Sequence, residues 1–239
     1  MEREIKFLIY KKSSEDMKEV KSGSVALVVT SPPYPMIAKW DDLFKTINFK
    51  EQHELLNRTF KECYRILIDG GIACINIGDA TRSINKDFCC YPNYAEITIN
   101  LMSIGFTPLI PILWKKISNR PNAFLGSGFL PVNVYISQDC EYIGIYRKGK
   151  IRQFNEVEKQ KRNNSSFTKE QRDLWCQQIW EIKGKSKAKE TSAFPEEIPY
   201  RLIRLFSIEN DLVVDPFNGT GTTGKISEQL NRKFIGYQI

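Results

Sequence analysis

The chain predicts an α/β fold with a mostly parallel sheet, and three observations carry the prediction. Short apolar runs bounded by turn residues alternate with helical patterns. Near the C-terminus an apolar strand runs into a glycine-rich turn that opens a helix. At 239 residues the chain is long enough for one such domain with a full core and a modest insertion.

The expected strands are 6–10, 25–29, 72–77, 106–113, 142–146, 212–215 and 234–237, and the expected helices 50–67, 94–104, 196–207 and 222–231. The first helix places Leu55, Leu56, Phe60, Cys63 and Leu67 on one face. It ends before Asp69-Gly70-Gly71, a turn signal leading into the next strand. Residues 118–193 break the alternation with prolines, glycines and the polar run QKRNNSSFTKEQR. They read as an insertion between a first half, 1–117, and a last half, 194–239.

Composition excludes several classes. No run of 18 apolar residues occurs, which argues against a membrane span. The charged start MEREIKFLIYKK does not read as a signal peptide. Cys63, Cys74, Cys89, Cys90, Cys140 and Cys176 form no CxxC pair, and His53 is the single histidine, so no metal site is expected. Reduced thiols and a cytoplasmic location follow. A Ser-His-Asp mechanism would have to use His53, which reads as a solvated residue of a polar helix. The net charge of +7 is concentrated: residues 147–189 hold 13 Lys or Arg and 5 Asp or Glu, net +8, leaving −1 elsewhere. Such a segment suits a polyanion, although a solvated loop has the same composition.

Two motifs carry chemistry. Thr30-Ser31-Pro32-Pro33-Tyr34 follows the strand VALVV directly. Two prolines stop a strand because neither donates to a ladder, and they hold Ser31 and Pro32 extended. The Ser31 hydroxyl and Pro32 carbonyl can then face one space beside the strand's C-terminal end, where open α/β sheets bind ligands. Two acceptors there suit the two N–H protons of an exocyclic amino group, and the Tyr34 ring suits stacking on a base. The second motif is LVVDPFNGTGTTG, 212–224. Gly219 and Gly221 let backbone N–H groups approach a ligand, and Asp215 offers an acceptor at the strand end. Residues 219–225 also fit GxxxxGK of a phosphate loop, but Ile226 stands where magnesium needs a hydroxyl.

Together the motifs resemble the permuted (beta) group of DNA amino-methyltransferases of bacteria and archaea. The order matches: TSPPY, a basic insertion, then FPEEIPYRLI and DPFNGTGTT, with 62–79 also similar to the family. The resemblance covers nearly the whole chain. It implies a circularly permuted Rossmann-like methyltransferase fold with a seven-stranded mixed sheet, order 3-2-1-4-5-7-6. On that template 212–215, 234–237, 6–10 and 25–29 are strands 1 to 4.

The resemblance further implies S-adenosylmethionine as cofactor, lined by Asp215, Phe217, Gly219, Thr220, Gly221, Thr222, Phe194, Pro195 and Gln238. Ser31, Pro32, Pro33 and Tyr34 form the catalytic tetrad around a flipped base. Serine at its first position is similar to N4-cytosine enzymes, whereas N6-adenine enzymes usually carry Asp. Double-stranded DNA is the expected partner, contacted by Asn119, Arg120, Asn122, Lys183, Lys185, Lys187 and Lys189. A cognate restriction endonuclease is expected to act on the same site without a stable complex. Gln238 replaces the family's acid near the end of strand 2, and Lys11-Lys12 its Gly-Asp after strand 3. The end at Ile239, before the family's next helix, reads as a short or truncated C-terminus. An N6-adenine or RNA methyltransferase and an inactive DNA-binding subunit are the remaining alternatives; a C5-cytosine enzyme needs a Pro-Cys pair, which is absent.

Overall fold

In the computed structural model, residues 6–117, 130–184 and 194–238 are described. Strand β1 (Phe7–Tyr10) is followed by β2 (Val25–Thr30), a short helix α1 (Asp41–Phe44) and the long helix α2 (Phe49–Ile66). Then come β3 (Leu67–Ile77), the hairpin β4 (Ala80–Ile84) and β5 (Asp87–Tyr91), and α3 (Asn93–Ile104). Strands β6 (Phe106–Pro108), β7 (Ile112–Ile117) and β8 (Cys140–Lys148) precede helices α4 (Glu156–Asn164) and α5 (Lys169–Trp175). The chain finishes with β9 (Ile179–Lys183), α6 (Glu197–Phe206), β10 (Leu212–Asp215), α7 (Thr222–Gln229) and β11 (Lys233–Tyr237).

The main sheet runs β1-β11-β10-β2-β3-β8-β7-β9, with β6 also on β8. Pairing is parallel from β1 to β3, and β8 is antiparallel to both β3 and β7. This is the expected order with two additions, so the sheet has nine strands rather than seven. The expected strand 106–113 is split: Pro108 and Pro111 lack ladder donors, leaving β6 and β7 as separate pieces on β8. The second addition is β9, parallel to β7 at the edge. Its sequence IWEIK alternates, burying Trp180 and Ile182, and the Trp114 indole donates to the Ile182 carbonyl at 2.9 Å. The stretch 118–193 therefore contributes two strands, β8 and β9, to the common sheet.

Strand β2 is buried at all six positions because helices cover both of its faces. Val28 joins Phe60, Cys63 and Ile66 of α2 and Ile97 of α3 on one side. Leu27 and Val29 join Ile198, Leu202 and Ile226 of α6 and α7 on the other. Strand β1 pairs with β11, from Phe7↔Phe234 to Tyr10↔Tyr237, so strands far apart in sequence lie side by side at one edge of the sheet.

Local chemistry explains where elements start. Asn48 caps α2 by accepting from the amides of Lys50 and Glu51. The polar run 160–172 contains the end of α4 and the start of α5, two helices that its composition does not predict; Asn155/Glu158 and Thr168/Gln171 form capping boxes at their starts. Asp69-Gly70-Gly71 lies inside β3 as an irregularity, not before it: Val25 pairs with Leu67 while Leu27 pairs with Ile72.

His53 departs from expectation. It is buried on α2, 1% exposed, with Nε2 3.0 Å from Asn93 Oδ1. Both Asn93 amide protons go to carbonyls, so Oδ1 accepts and Nε2 carries the imidazole proton. Burial lowers the His53 pKa below its ordinary value, outweighing the Asn93 bond. A base with a depressed native pKa binds its proton more readily when unfolded, so its contribution to stability is lost as pH falls through the unfolded value of about 6.5. His53→Gln should therefore lose less stability than wild type between about pH 7.5 and 5.5, read as urea midpoints. Parallel losses in both proteins would exclude His53 as the cause.

Candidate functional site

The two motifs meet at the C-terminal ends of β2 and β10, adjacent parallel strands paired through Val213↔Leu27 and Val214↔Val28. Thr30, the last residue of β2, donates from Oγ1 to Asp215 Oδ1 at 2.6 Å. Thr223 of α7 donates to Oδ2 at 2.7 Å, and the Phe217 amide reaches Oδ1 at 3.1 Å. Asp215 is thus a buried carboxylate, 4% exposed, gripped by three donors. Burial pushes its pKa up to about 6, against the pull of those donors.

Beyond Asp215 the turn is open. A Cβ added at Gly219 or Gly221 would meet nothing within 4 Å, and Gly221 takes the left-handed φ of 74° that begins α7. Gly224 serves packing instead, since a Cβ there would strike the Phe234 and Phe7 rings. Thr220 and Thr222 share a hydroxyl contact of 3.0 Å beside the turn. The Gln238 amide donates to the Gly219 carbonyl at 3.1 Å and so ties the end of β11 to it. Phe217 packs on the core while staying partly exposed. Phe194 is buried on the other face of the sheet, and the Pro195 carbonyl accepts from the Ile198 amide at the start of α6. Asn218 is buried with neither side-chain polar atom hydrogen-bonded among the described residues. Lys225, the lysine of the phosphate-loop alternative, pairs with Glu196 at 2.8 Å.

At the end of β2, Pro32 and Pro33 are buried and Ser31 and Tyr34 half-buried. The Ser31 hydroxyl donates to the Tyr34 hydroxyl at 3.2 Å, which donates to Glu141 Oε2 at 2.8 Å. Asn76 Nδ2 donates to both, at 2.8 and 2.7 Å, and Lys116 pairs with the other Glu141 oxygen. Burial, and after it the Glu141 carboxylate, push the Tyr34 phenol well above its ordinary range, so it keeps its proton. The following loop is held from α2 and α3. Asn93 donates to the Pro35 and Gly78 carbonyls, both at 3.0 Å, and Gln52 accepts from the Met36 amide at 2.6 Å.

Thr30 and Thr223 lie inside the two motifs without an assigned role, whereas Asn76, Glu141, Gln52 and Asn93 stand outside them. For Asn76 and Glu141 a weak signal existed: each is polar in or beside a strand of otherwise apolar residues. Of the residues expected to meet nucleic acid, Lys183 ends β9 facing solvent. Asn119, Arg120, Asn122, Lys185, Lys187 and Lys189 lie outside the described residues. Part of the basic segment is neutralised internally: Arg152 makes a two-pronged contact with Asp211, at 2.7 and 3.0 Å, and a third with Glu158 at 3.1 Å.

The Asp215 grip gives a signed pH prediction. Its native pKa lies above the unfolded value of about 3.9, so stability falls as pH rises toward 6. Thr30→Val removes a donor to the ionised form and should steepen that fall. The variant should be destabilised by about 1–3 kcal/mol near pH 7.5 and by less near pH 5. A loss that does not vary with pH would show that Thr30 does not act through the carboxylate.

Comparison with known proteins agrees with this geometry. The profile of the N6/N4 methyltransferase family, described as DNA methylase, matches residues 25–239. The type II methyltransferase M.MjaI of Methanocaldococcus jannaschii is 51% identical, over 93% of this chain and 84% of its own. M.MthZI of Methanothermobacter thermautotrophicus is 41% identical, over 97% and 72%. Among solved structures, a candidate DNA modification methylase of Thermus thermophilus, in complex with S-adenosyl-L-methionine, superposes with a TM-score of 0.80. It is 29% identical, over 97% of this chain and 87% of its own. The cytosine-N4-specific PvuII DNA methyltransferase shares the fold, with a TM-score of 0.72 at 19% identity over 98% and 82%. By sequence, strand order and the pairing of its two motifs, the chain belongs to the N6/N4 family of DNA methylases.

Proposed function

We propose that this protein transfers a methyl group from S-adenosylmethionine to N4 of cytosine within a specific double-stranded DNA sequence. The observation that carries the reading is the Thr30–Asp215 hydrogen bond, which sets the Ser31 tetrad and the glycine turn on neighbouring strand ends. The cofactor supplies a methyl group already activated by a positive sulfur. The residues present fit it: Gly219 and Gly221 leave open space, and Asn218 offers buried polar atoms without partners among the described residues. Phe217, Thr220, Thr222 and Gln238 would line the turn, Phe194 and Pro195 would close it from the α6 side, and Asp215 would hold it from beneath. The Thermus relative solved with S-adenosyl-L-methionine supports the same assignment.

An amino group in a duplex is paired, so the base must leave the stack. Ser31 and the Pro32 carbonyl would accept its two N–H protons, and the exposed part of the Tyr34 ring would stack on it, with Pro33 stiffening the turn. The residues thus supply alignment and polarisation, without a covalent intermediate. Serine at the head of the tetrad favours cytosine N4 over adenine N6. Residues 1–117 and 194–239 would form the catalytic and cofactor halves. Residues 118–193 would carry target recognition, with Asn119, Arg120 and Asn122 reading bases and Lys183, Lys185, Lys187 and Lys189 contacting phosphates. A cytoplasmic modification enzyme fits this reading, paired with a restriction endonuclease that acts on the same site without stable association. Among the described residues no helix is long and apolar enough to cross a membrane.

Incubation with methyl-labelled S-adenosylmethionine and DNA, followed by nucleoside analysis, should yield N4-methylcytosine. N6-methyladenine would select the adenine alternative, and unlabelled DNA would refute both. Ser31→Ala should lose turnover by roughly 100-fold while cofactor binding by calorimetry is retained; wild-type rates would remove Ser31 from the chemistry. Reversing Lys183, Lys185, Lys187 and Lys189 to Glu should weaken DNA binding and flatten its salt dependence by about 0.9 per lost phosphate contact. Unchanged affinity and slope would make the segment a solvated loop.

A further inference from the structure

The hydrogen bonds around Tyr34 have directions that chemistry dictates. Glu141 stands near the start of β8, in ion pair with Lys116, and a carboxylate only accepts. Its Oε2 takes the Tyr34 hydroxyl proton at 2.8 Å and an Asn76 amide proton at 2.7 Å. The Asn76 amide cannot be turned round, because its oxygen would then face the carboxylate. Asn76 Nδ2 also donates to the Tyr34 oxygen, at 2.8 Å. With its proton on Glu141, the Tyr34 oxygen has only lone pairs left. One meets Asn76, and the other meets the Ser31 hydroxyl at 3.2 Å. The single Ser31 proton is therefore committed to Tyr34. What Ser31 turns toward the cleft is an acceptor.

We propose that Glu141 is a positioning residue that sets the polarity of the Ser31–Tyr34 chain, so that the site admits a base edge that donates and rejects one that accepts. This rests on the functional reading above and deepens it: the substrate class is an amino-bearing base, and its keto counterpart is excluded. Uracil and hypoxanthine match cytosine and adenine in shape but carry a carbonyl oxygen where the amino group stands. That oxygen would face Ser31 lone pairs and leave both without a partner, the kind of mismatch by which buried polar sites discriminate strongly. The anchor lies 107 residues from Tyr34 in sequence and comes from the strand inserted between β3 and β7.

The test uses full-length protein and DNA duplexes in which the methylated base, once mapped, is replaced by its keto counterpart. Competition binding gives the amino-over-keto preference for wild type, Glu141→Gln and Glu141→Asp. A glutamine can donate to the Tyr34 oxygen, freeing the Tyr34 proton to turn toward Ser31 and the Ser31 proton toward the cleft. Glu141→Gln should lower kcat and shrink the preference, each by at least about tenfold, with cofactor affinity and thermal midpoint near wild type. Glu141→Asp keeps an acceptor-only group and should retain the preference. Tyr34→Phe, which removes the hydroxyl that takes the Ser31 proton, should shrink it even if Glu141→Gln fails to fold. A preference unchanged in Glu141→Gln or in Tyr34→Phe overturns the inference, whatever happens to turnover. Wild-type protein that methylates neither amino base overturns the functional reading as well, whereas methylation with an unchanged preference overturns this inference alone.

Discussion

The buried Asp215 carboxylate is the joint on which the head of the sheet depends. Three donors from different parts of the chain converge on it: the last side chain of β2, the first turn of α7 and the backbone of the glycine turn. Burying a carboxylate is unfavourable unless its oxygens are satisfied, so the three donors must be placed together or not at all. That requirement aligns the end of β2 with the end of β10 and fixes where the Ser31–Tyr34 tetrad begins relative to the turn. Thr30 is the residue immediately before Ser31, so the Thr30 bond bears on the position of the next side chain.

A second polar assembly holds the other side of the same loop. Gln52 of α2 and Asn93 of α3 reach the backbone at Pro35, Met36 and Gly78, His53 of α2 in turn donates to the Asn93 side chain, and Met36 takes a left-handed φ of 64°. A backbone conformation disfavoured for a side-chain-bearing residue persists when its surroundings over-determine it. Here a glutamine amide, an asparagine amide and a buried histidine do so. The loop after the tetrad is tied by side chains remote from the tetrad's own residues, and a fixed backbone is what an alignment-based chemistry needs.

Charge is distributed with a similar division of labour. The basic excess of the 147–189 segment is partly consumed inside the molecule, where Arg152 is clamped by Asp211 and Glu158. A lysine such as Lys183, on the solvent side of the edge strand β9, is better placed to meet a polyanion than a half-buried arginine with two carboxylate partners. Net charge read along a sequence counts both kinds alike.

Much of the fold was legible because periodicity and turn chemistry are local. Strand 25–30 is almost continuously apolar and ends just before two prolines, and 212–224 is a strand followed by glycines, so motif order and sheet class followed from residues within a few positions of one another. The buried face of α2, through Leu56, Phe60 and Cys63, was legible for the same reason. The added edge strand β9 alternates visibly, but pairing with β7 is a relation between strands more than 60 residues apart. Only tertiary structure decided that His53 is buried rather than solvated, because its burial depends on α3 and the tetrad loop closing over α2. It alone made Asn76 and Glu141 partners of Tyr34, since hydrogen-bond partners are chosen by strand order and register. Sequence determined which chemical groups the site contains. Strand order and packing decided which of them donate and which accept.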